Sequence, residues 1–326
     1  MARWDLQVRR VGWRLLEAMT SGPPAQRRET LELRLESGSR RGWGEAAPLP
    51  GLHSETLEDL ELALPHLLTE LQADVGEGDL LSLVSRLEKR LESARLPPSL
   101  RWAAAWALAE ALGWRGPREQ PPAPPSAGLL AGPPHRWAEE ADAHPAACWK
   151  VKVGRHPPSE EAAALNALRR LHPSAELRLD ANRAYTLEEA RALQRACPEL
   201  APRWIEEPLA DAAELAAWLG EGGWPLAIDE SLAVAGVPVE RAAAWVLKPQ
   251  VLGLMRTLRF FDRSAAMAGP DCPAPLCVVS SSFESPRGLA VLEQLARLAP
   301  GRPAPGLGTR AWFEDQPEWE EPWRRL

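Results

Sequence analysis

A closed parallel β/α barrel preceded by a smaller α+β unit is the fold this sequence predicts. Seven short apolar runs, at residues 127–131, 147–153, 176–180, 202–206, 225–229, 244–248 and 275–281, alternate with helical segments. Near-continuous apolar strands between helices indicate a parallel sheet covered on its outer face, and seven such repeats favour a closed ring over an open sheet. Residues before 115 follow a different order, strands first and helices after, which is the α+β pattern. A length of 326 residues accommodates both units.

In chain order, residues 4–16 and 28–36 alternate polar and apolar, as in Leu31-Glu32-Leu33-Arg34-Leu35, and read as paired antiparallel strands. Thr20-Ser21-Gly22-Pro23-Pro24-Ala25 between them is a flexible loop by composition. Gly42-Trp43-Gly44-Glu45 ends a third strand and runs into a Gly/Pro loop, after which Ser54-Glu55-Thr56-Leu57-Glu58 opens a helix with an N-cap. Helical patterns continue over 56–72, 79–93 and 98–113, completing a capping unit at 1–115. The proline-rich, aperiodic stretch 116–126 is a linker. The barrel then occupies 127–306, with helices at 159–171, 186–196, 212–219, 239–243, 255–268 and 287–298. Thr186-Leu187-Glu188-Glu189 is a capping pattern for the second of these. Residues 307–326, rich in Trp, Glu and Pro, read as a tail packed on the surface of one of the two units.

Composition removes several function classes. A net charge of −7 and a pI near 5.6 argue against nucleic-acid or anionic-membrane binding. No apolar run reaches about eighteen residues, so no membrane span is expected. Met1-Ala2-Arg3-Trp4-Asp5 lacks the apolar core of a secretion signal, which predicts a cytoplasmic protein. Cys148, Cys197, Cys272 and Cys277 are scattered without a CxxC pair, fitting a reduced interior better than a disulfide framework or a zinc site.

The chemistry is concentrated at strand ends, which a parallel barrel gathers into one ring at its C-terminal face. Asp180, Glu206 and Asp229 end three consecutive strands. Alone, a strand-end Asp reads as a helix cap or a lysine's partner. Three ionised carboxylates at one water-poor mouth repel, and a hard divalent cation resolves that cost. Three monodentate oxygens leave positions for water or substrate, which suits Mg²⁺. Lys150 and Lys152 are two apart on a strand and share a face, and Lys248 ends a strand far around the ring. Nearby positive charge lowers a lysine's pKa and makes a free amine accessible, so these lysines are candidate bases; the alternative is that they balance the carboxylates. None of the six histidines falls at a barrel strand end, and neither a GxGxxG nor a Walker loop is present.

These motifs in their order resemble the enolase superfamily, and within it the family of o-succinylbenzoate synthases. The resemblance spans nearly the whole chain. It rests on Gly42-Trp43-Gly44-Glu45 with Pro48-Leu49-Pro50-Gly51, Lys150-Val151-Lys152, Arg178-Leu179-Asp180-Ala181-Asn182, Glu206-Glu207-Pro208, Ala227-Ile228-Asp229-Glu230-Ser231, Lys248-Pro249, Ser280-Ser281-Ser282 and Pro305-Gly306-Leu307. It implies a modified (β/α)₇β TIM-like barrel with an N-terminal α+β capping domain. It implies Mg²⁺, with Mn²⁺ able to substitute, held by Asp180, Glu206 and Asp229. By the same resemblance Lys152 is the base, Lys248 faces it, Lys150 supports the site, and Arg178 and Asn182 make outer contacts. Ser280, Ser281 and Gly306 match positions near the distal carboxylate of a small-molecule carboxylate substrate. The implied reaction is a dehydration in menaquinone biosynthesis. An N-acylamino-acid racemase or dipeptide epimerase on the same scaffold would use the same lysines, and a non-catalytic metal-binding relative is a further alternative. Two departures bear on substrate fit: Leu254 after Gly253, expected to alter the pocket floor, and His53 in the capping loop. Loops 20–25 and 43–53 are expected to close over the site.

Overall fold

The computed structural model describes residues 4–16, 26–73, 78–114, 122, 124–269 and 273–326. The loop at 20–25 and most of the expected linker lie outside the described residues. The chain begins with an antiparallel meander of β1 (Asp5–Arg14), β2 (Arg27–Ser37) and β3 (Arg40–Ala46). Leu31, Leu33 and Leu35 fill one face of β2 and are fully buried, under the helices α1 (Leu57–Gln72), α2 (Leu80–Ser93) and α3 (Pro98–Ala111). Thr56 and Asp59 form a capping box at the start of α1, and Asp79 caps α2. The Gly-Trp-Gly of β3 has a packing cause: a Cβ at Gly42 or Gly44 would collide with the carbonyl oxygens of Ala107 or Ala103 on α3. The opposite face of β2, with Arg28, Thr30 and Glu32, is also buried, because barrel and tail cover it.

The second sheet is parallel throughout. In hydrogen-bonded order it runs β4 (Gly128–Leu130), β5 (Cys148–Lys152), β6 (Glu176–Asp180), β7 (Trp204–Glu206), β8 (Leu226–Ile228), β9 (Ala244–Leu247) and β10 (Leu276–Val279). Residues 305–306 take the eighth position. Gly306 N–H donates to Val279 O at 2.8 Å, Ser281 N–H to Gly306 O at 3.0 Å, and Ala127 N–H to Pro305 O at 3.0 Å. These bonds join β10 to the chain just before β4 and close the ring. Trp204, Ala227, Ala244, Val246 and Val278 form a separate small core in one cluster of these strands.

The helices between strands are α4 (Trp137–Ala143), α5 (Pro158–Leu171), α6 (Leu187–Ala196), α7 (Ala212–Gly220), the single turn α8 (Pro249–Leu252), α9 (Leu254–Met267) and α10 (Pro286–Ala296). Three differ from the sequence reading, one being α8, a single turn too short to show a helical period. Residues 239–243 form only a 3₁₀ turn, Val239–Arg241, because Pro238 precedes it and β9 already starts at Ala244. Helix α4 was not expected; its seven residues are too few to display a helical period. After the barrel, β11 (Trp319–Glu320) and β12 (Arg324–Arg325) both pair with β1, so residues 319–325 complete the first sheet. A square of ion pairs joins it to α10: Arg9 and Arg287 each bridge Glu32, which is fully buried, and Glu320, which is partly exposed, at 2.6–2.8 Å.

Candidate active site

Parallel register brings the functional side chains to one level. Lys152 is paired with Asp180 across β5 and β6, and Asp180 with Glu206 across β6 and β7. Asp229 and Lys248 stand one residue past β8 and β9. Lys150 Nζ lies 2.7 Å from Asp180 Oδ2 and 2.8 Å from Glu206 Oε1, while Lys152 Nζ lies 2.5 Å from the same Asp180 oxygen. Lys152 also donates to Asn182 Oδ1 at 3.3 Å. Lys248 pairs with Asp229 and, at 2.8 Å, with Glu230. The two lysine groups therefore sit on different carboxylates of one mouth. Among the described residues no three acidic, His or Cys side chains converge as a ready metal cluster; the lysines stand between the carboxylates instead.

Above this ring is a cavity of about 230 Å³. Lys150, Lys152, Asp180, Asn182, Glu230 and Lys248 form its charged floor, and Ser280, Ser281, Gly306 and Thr309 one wall. Leu49, Leu52, Phe283 and Trp312 supply apolar surface, with the Phe283 and Trp312 rings edge to face at 5.5 Å. The capping unit thus contributes residues 49–52 directly. His53 does not line the cavity; its Nδ1 accepts the Leu49 N–H at 3.0 Å and folds the loop from behind. Leu254 does not form the pocket floor either. It is fully buried in the first turn of α9, its N–H held by Glu88 of α2. Arg178 lies beneath the cavity, stacked 4.4 Å from the Trp204 ring and donating to Ala304 O at 2.6 Å, so it braces the segment that closes the ring.

Of the residues carried by the motifs, the structure brings Lys150, Lys152, Asp180, Asn182, Lys248, Ser280, Ser281 and Gly306 to the cavity. Glu206 and Asp229 sit just behind it, 4 % and 7 % exposed. Sequence reasoning gave no role to Glu230, whose signal was its position next to Asp229, nor to Phe283, which lies in the motif Ser280-Ser281-Ser282-Phe283-Glu284-Ser285, nor to Thr309 and Trp312, which carry no local motif.

The electrostatics separate the lysines. Burial lowers the Lys152 amine below the ordinary lysine value, with Lys150 adding to the effect against the pull of Asp180. Burial would also lower Lys150 and Lys248, but carboxylates outweigh it: Asp180 and Glu206 for Lys150, Asp229 and Glu230 for Lys248. Both are raised and stay cationic. Asp180 is depressed despite its burial, because Lys150 and Lys152 flank it. Glu206 is pushed up to about 8, by burial first and then by Asp180 and Asp229, which its bidentate contact with Lys150 does not offset. Asp229 is pushed up to about 6, by burial and Glu230 against Lys248. This donor set fits a hard divalent cation because its atoms are all carboxylate oxygens, and burial with mutual repulsion raises Glu206 and Asp229, a cost that a cation between them would relieve.

Comparison with known proteins follows the same division of the chain. A family model described as enolase C-terminal domain-like matches residues 135–237, and one described as MenC, N-terminal domain matches residues 21–110. The o-succinylbenzoate synthase of Salmonella arizonae is 32% identical over 297 residues, which cover 89% of this chain and 85% of that protein. The solved o-succinylbenzoate synthase of Thermosynechococcus elongatus, complexed with Mg in its active site, aligns with a TM-score of 0.67 at 23% identity, over 96% of this chain and 95% of that one. The N-succinyl Arg/Lys racemase of Bacillus cereus aligns with a TM-score of 0.79 at 19% identity, over 96% and 89%. Backbone similarity is therefore shared by synthase and racemase alike, and it is the sequence match that separates them.

Proposed function

The chain belongs to the o-succinylbenzoate synthase family of the enolase superfamily, and from that premise we propose that it is a lyase removing water from 2-succinyl-6-hydroxy-2,4-cyclohexadiene-1-carboxylate. The product is 2-succinylbenzoate, a step of menaquinone biosynthesis. The observation that best supports this chemistry is geometric: Lys152 and Lys248 stand on different carboxylates, Asp180 and Asp229, in the charged floor of one cavity.

Asp180, Glu206 and Asp229 would hold Mg²⁺, with Mn²⁺ as a substitute. When bound, the metal supplies stabilisation of the negative charge that develops on the ring carboxylate. The neutral Lys152 amine takes the proton from the carbon bearing that carboxylate. The ammonium so formed returns a proton to the departing hydroxide on the same face, so that one water leaves and the ring becomes aromatic. Lys248, kept cationic by Asp229 and Glu230, stabilises the anion from the other side. Lys150 neutralises Asp180 and Glu206 and holds them in place. Ser280, Ser281 and Gly306 receive the distal succinyl carboxylate, and residues 49–52 with Phe283 and Trp312 shield the reacting carbons from water. The buried free cysteines Cys148, Cys197 and Cys277 support a cytoplasmic setting.

The test is a direct assay of the purified protein with Mg²⁺ on the cyclohexadiene substrate, run beside N-succinylamino acids. Rapid dehydration is expected. Racemisation of the amino acids without dehydration would make the protein a racemase, and metal binding without either turnover would make it non-catalytic.

A further inference from the structure

Glu207 follows Glu206 and takes no part in the chemistry above. It is 2 % exposed and does not line the cavity. Its backbone is left-handed, φ 42°, a conformation that a non-glycine residue keeps only where its surroundings hold it. One carboxylate oxygen accepts the N–H groups of Asp229 and Ser231, each at 2.9 Å. The other accepts the Ser231 hydroxyl at 2.7 Å and Arg183 Nε at 2.9 Å. Arg183 is also left-handed, φ 61°, and its N–H donates to Glu207 O at 2.6 Å. Its guanidinium reaches Ser231 Oγ as well, at 3.0 Å.

Four donors thus saturate one buried carboxylate, and two of them are the backbone N–H groups on either side of Glu230. Asp229 needs such support, because its φ of −120° and ψ of −94° fit neither helix nor strand. Among the described residues no other side chain accepts from those two N–H groups. Without Glu207 both would be left buried and unpaired, and the turn would shift to satisfy them. Asp229 and Glu230, the two partners of Lys248, ride on that turn.

We propose that Glu207 is a positioning residue of the metal side of the site: it fixes the 229–231 turn so that Asp229 is presented as a ligand and Glu230 holds Lys248. Arg183 in turn fixes Glu207. This rests on the reading of Asp229 as a metal ligand given above.

The experiment is Mn²⁺ titration of the full chain followed by electron paramagnetic resonance, with kcat and the thermal midpoint measured on the same samples. Wild type is compared with Glu207→Gln and Ser231→Ala. In Glu207→Gln an amide NH₂ replaces an acceptor that serves Arg183 and Ser231. Mn²⁺ is expected to bind about 10–100-fold more weakly, the range for losing an orienting partner of a ligand, and kcat to fall with it. Ser231→Ala keeps its N–H bond to Glu207 and should lose affinity in the same direction by less. A merely structural role would lower the thermal midpoint and leave the Mn²⁺ affinity of the folded protein unchanged, and that result overturns the proposal. If Glu207→Gln does not fold, Ser231→Ala decides, an unchanged affinity again overturning it. Failure of the wild type to bind Mn²⁺ would instead bring down the reading of the site, and the proposal with it.

Discussion

Replacing Arg28 by Met should damage substrate handling more than it damages stability. Arg28 lies on β2, 4 % exposed, and beyond a long contact to Glu29 O its guanidinium makes three close bonds to backbone carbonyls: Ala47 O at 2.6 Å, Pro48 O at 2.7 Å and Phe283 O at 3.0 Å. The first two belong to the strand exit that leads to Leu49, the third to the barrel loop that presents Phe283. One buried cation therefore ties together the apolar walls contributed by the capping unit and the barrel. Losing three such bonds costs about 3–6 kcal/mol at roughly 1–2 kcal/mol each. Part of that cost is returned. Burial lowers the Arg28 pKa to about 10, which corresponds to roughly 3 kcal/mol of unfavourable charge burial relieved on removal. The net stability change is then about 0–3 kcal/mol, a modest shift in the melting temperature. The link across to Phe283 has no such compensation. Its loss of about 1–2 kcal/mol in positioning predicts a fall in kcat/KM of roughly 5–30-fold, carried mainly by KM. Arg28→Lys keeps the charge but not the planar fork, so it should fall between. Steady-state kinetics with differential scanning calorimetry on the three proteins test this. If Arg28→Met keeps kcat/KM within about twofold of wild type, the reasoning fails.

Other outcomes follow from the site. Lys152→Arg should lower dehydration by about 10²–10⁴-fold, the range for a general base, and abolish exchange of the substrate α-proton with deuterated solvent; Lys248→Arg keeps a cation and should retain part of the dehydration. Near wild-type turnover in Lys152→Arg would remove it as the base. Chelation should abolish activity, add-back of Mg²⁺ or Mn²⁺ should restore it, and Asp229→Asn should cost more than the roughly 10–100-fold of an outer-shell change; full turnover by metal-free protein would exclude the metal. Glu45, buried between cap and barrel and accepting both N–H and hydroxyl of Ser285, is pushed up to about 7 from an ordinary 4.5 by burial, with Glu32 and Glu284 adding to it. A folded pKa above the unfolded one gives stability that is full below about 4.5 and lost as pH rises through 7. Glu45→Gln should therefore flatten the fall in urea midpoint across this range, and an unchanged slope would assign the effect to another group.

The strand ends were legible because two signals coincide there. Lys150-Val151-Lys152 puts two charges on one face of an otherwise apolar strand, and Asp180, Glu206 and Asp229 each interrupt an apolar run at the point where it stops. Charge at such positions is costly enough to announce a use. The cavity's other half was legible only in part, through the serine run, Gly306 and the 43–53 loop. Trp312 and Thr309 owe their placement to the closing segment and to loops that fold back over the mouth, and nothing in their neighbours marks them; Phe283 sits beside the serine run, but the run gives no sign that its ring faces the cavity. Leu254 misled for another reason: the resemblance put it at a position that bears on the pocket floor, while the helix start turned it into the core. The lysine–carboxylate pairing lay between these cases, since charge count predicted balance but not which amine would sit on which oxygen.

The pairing of β1 with residues 319–325 has a bearing on how the protein is made. β1 meets β2 once the chain reaches Ser37, yet its other edge is completed only by β11 and β12. At a ribosomal rate of about 5–20 residues per second, that edge waits roughly 15–60 s while the whole barrel is translated. For that interval the nascent chain displays an open β-edge, the kind of surface that recruits a neighbouring chain. Two arginines along it, Arg9 and Arg14, repel an identical strand, and Glu320 and Glu314 arrive with the tail to meet them.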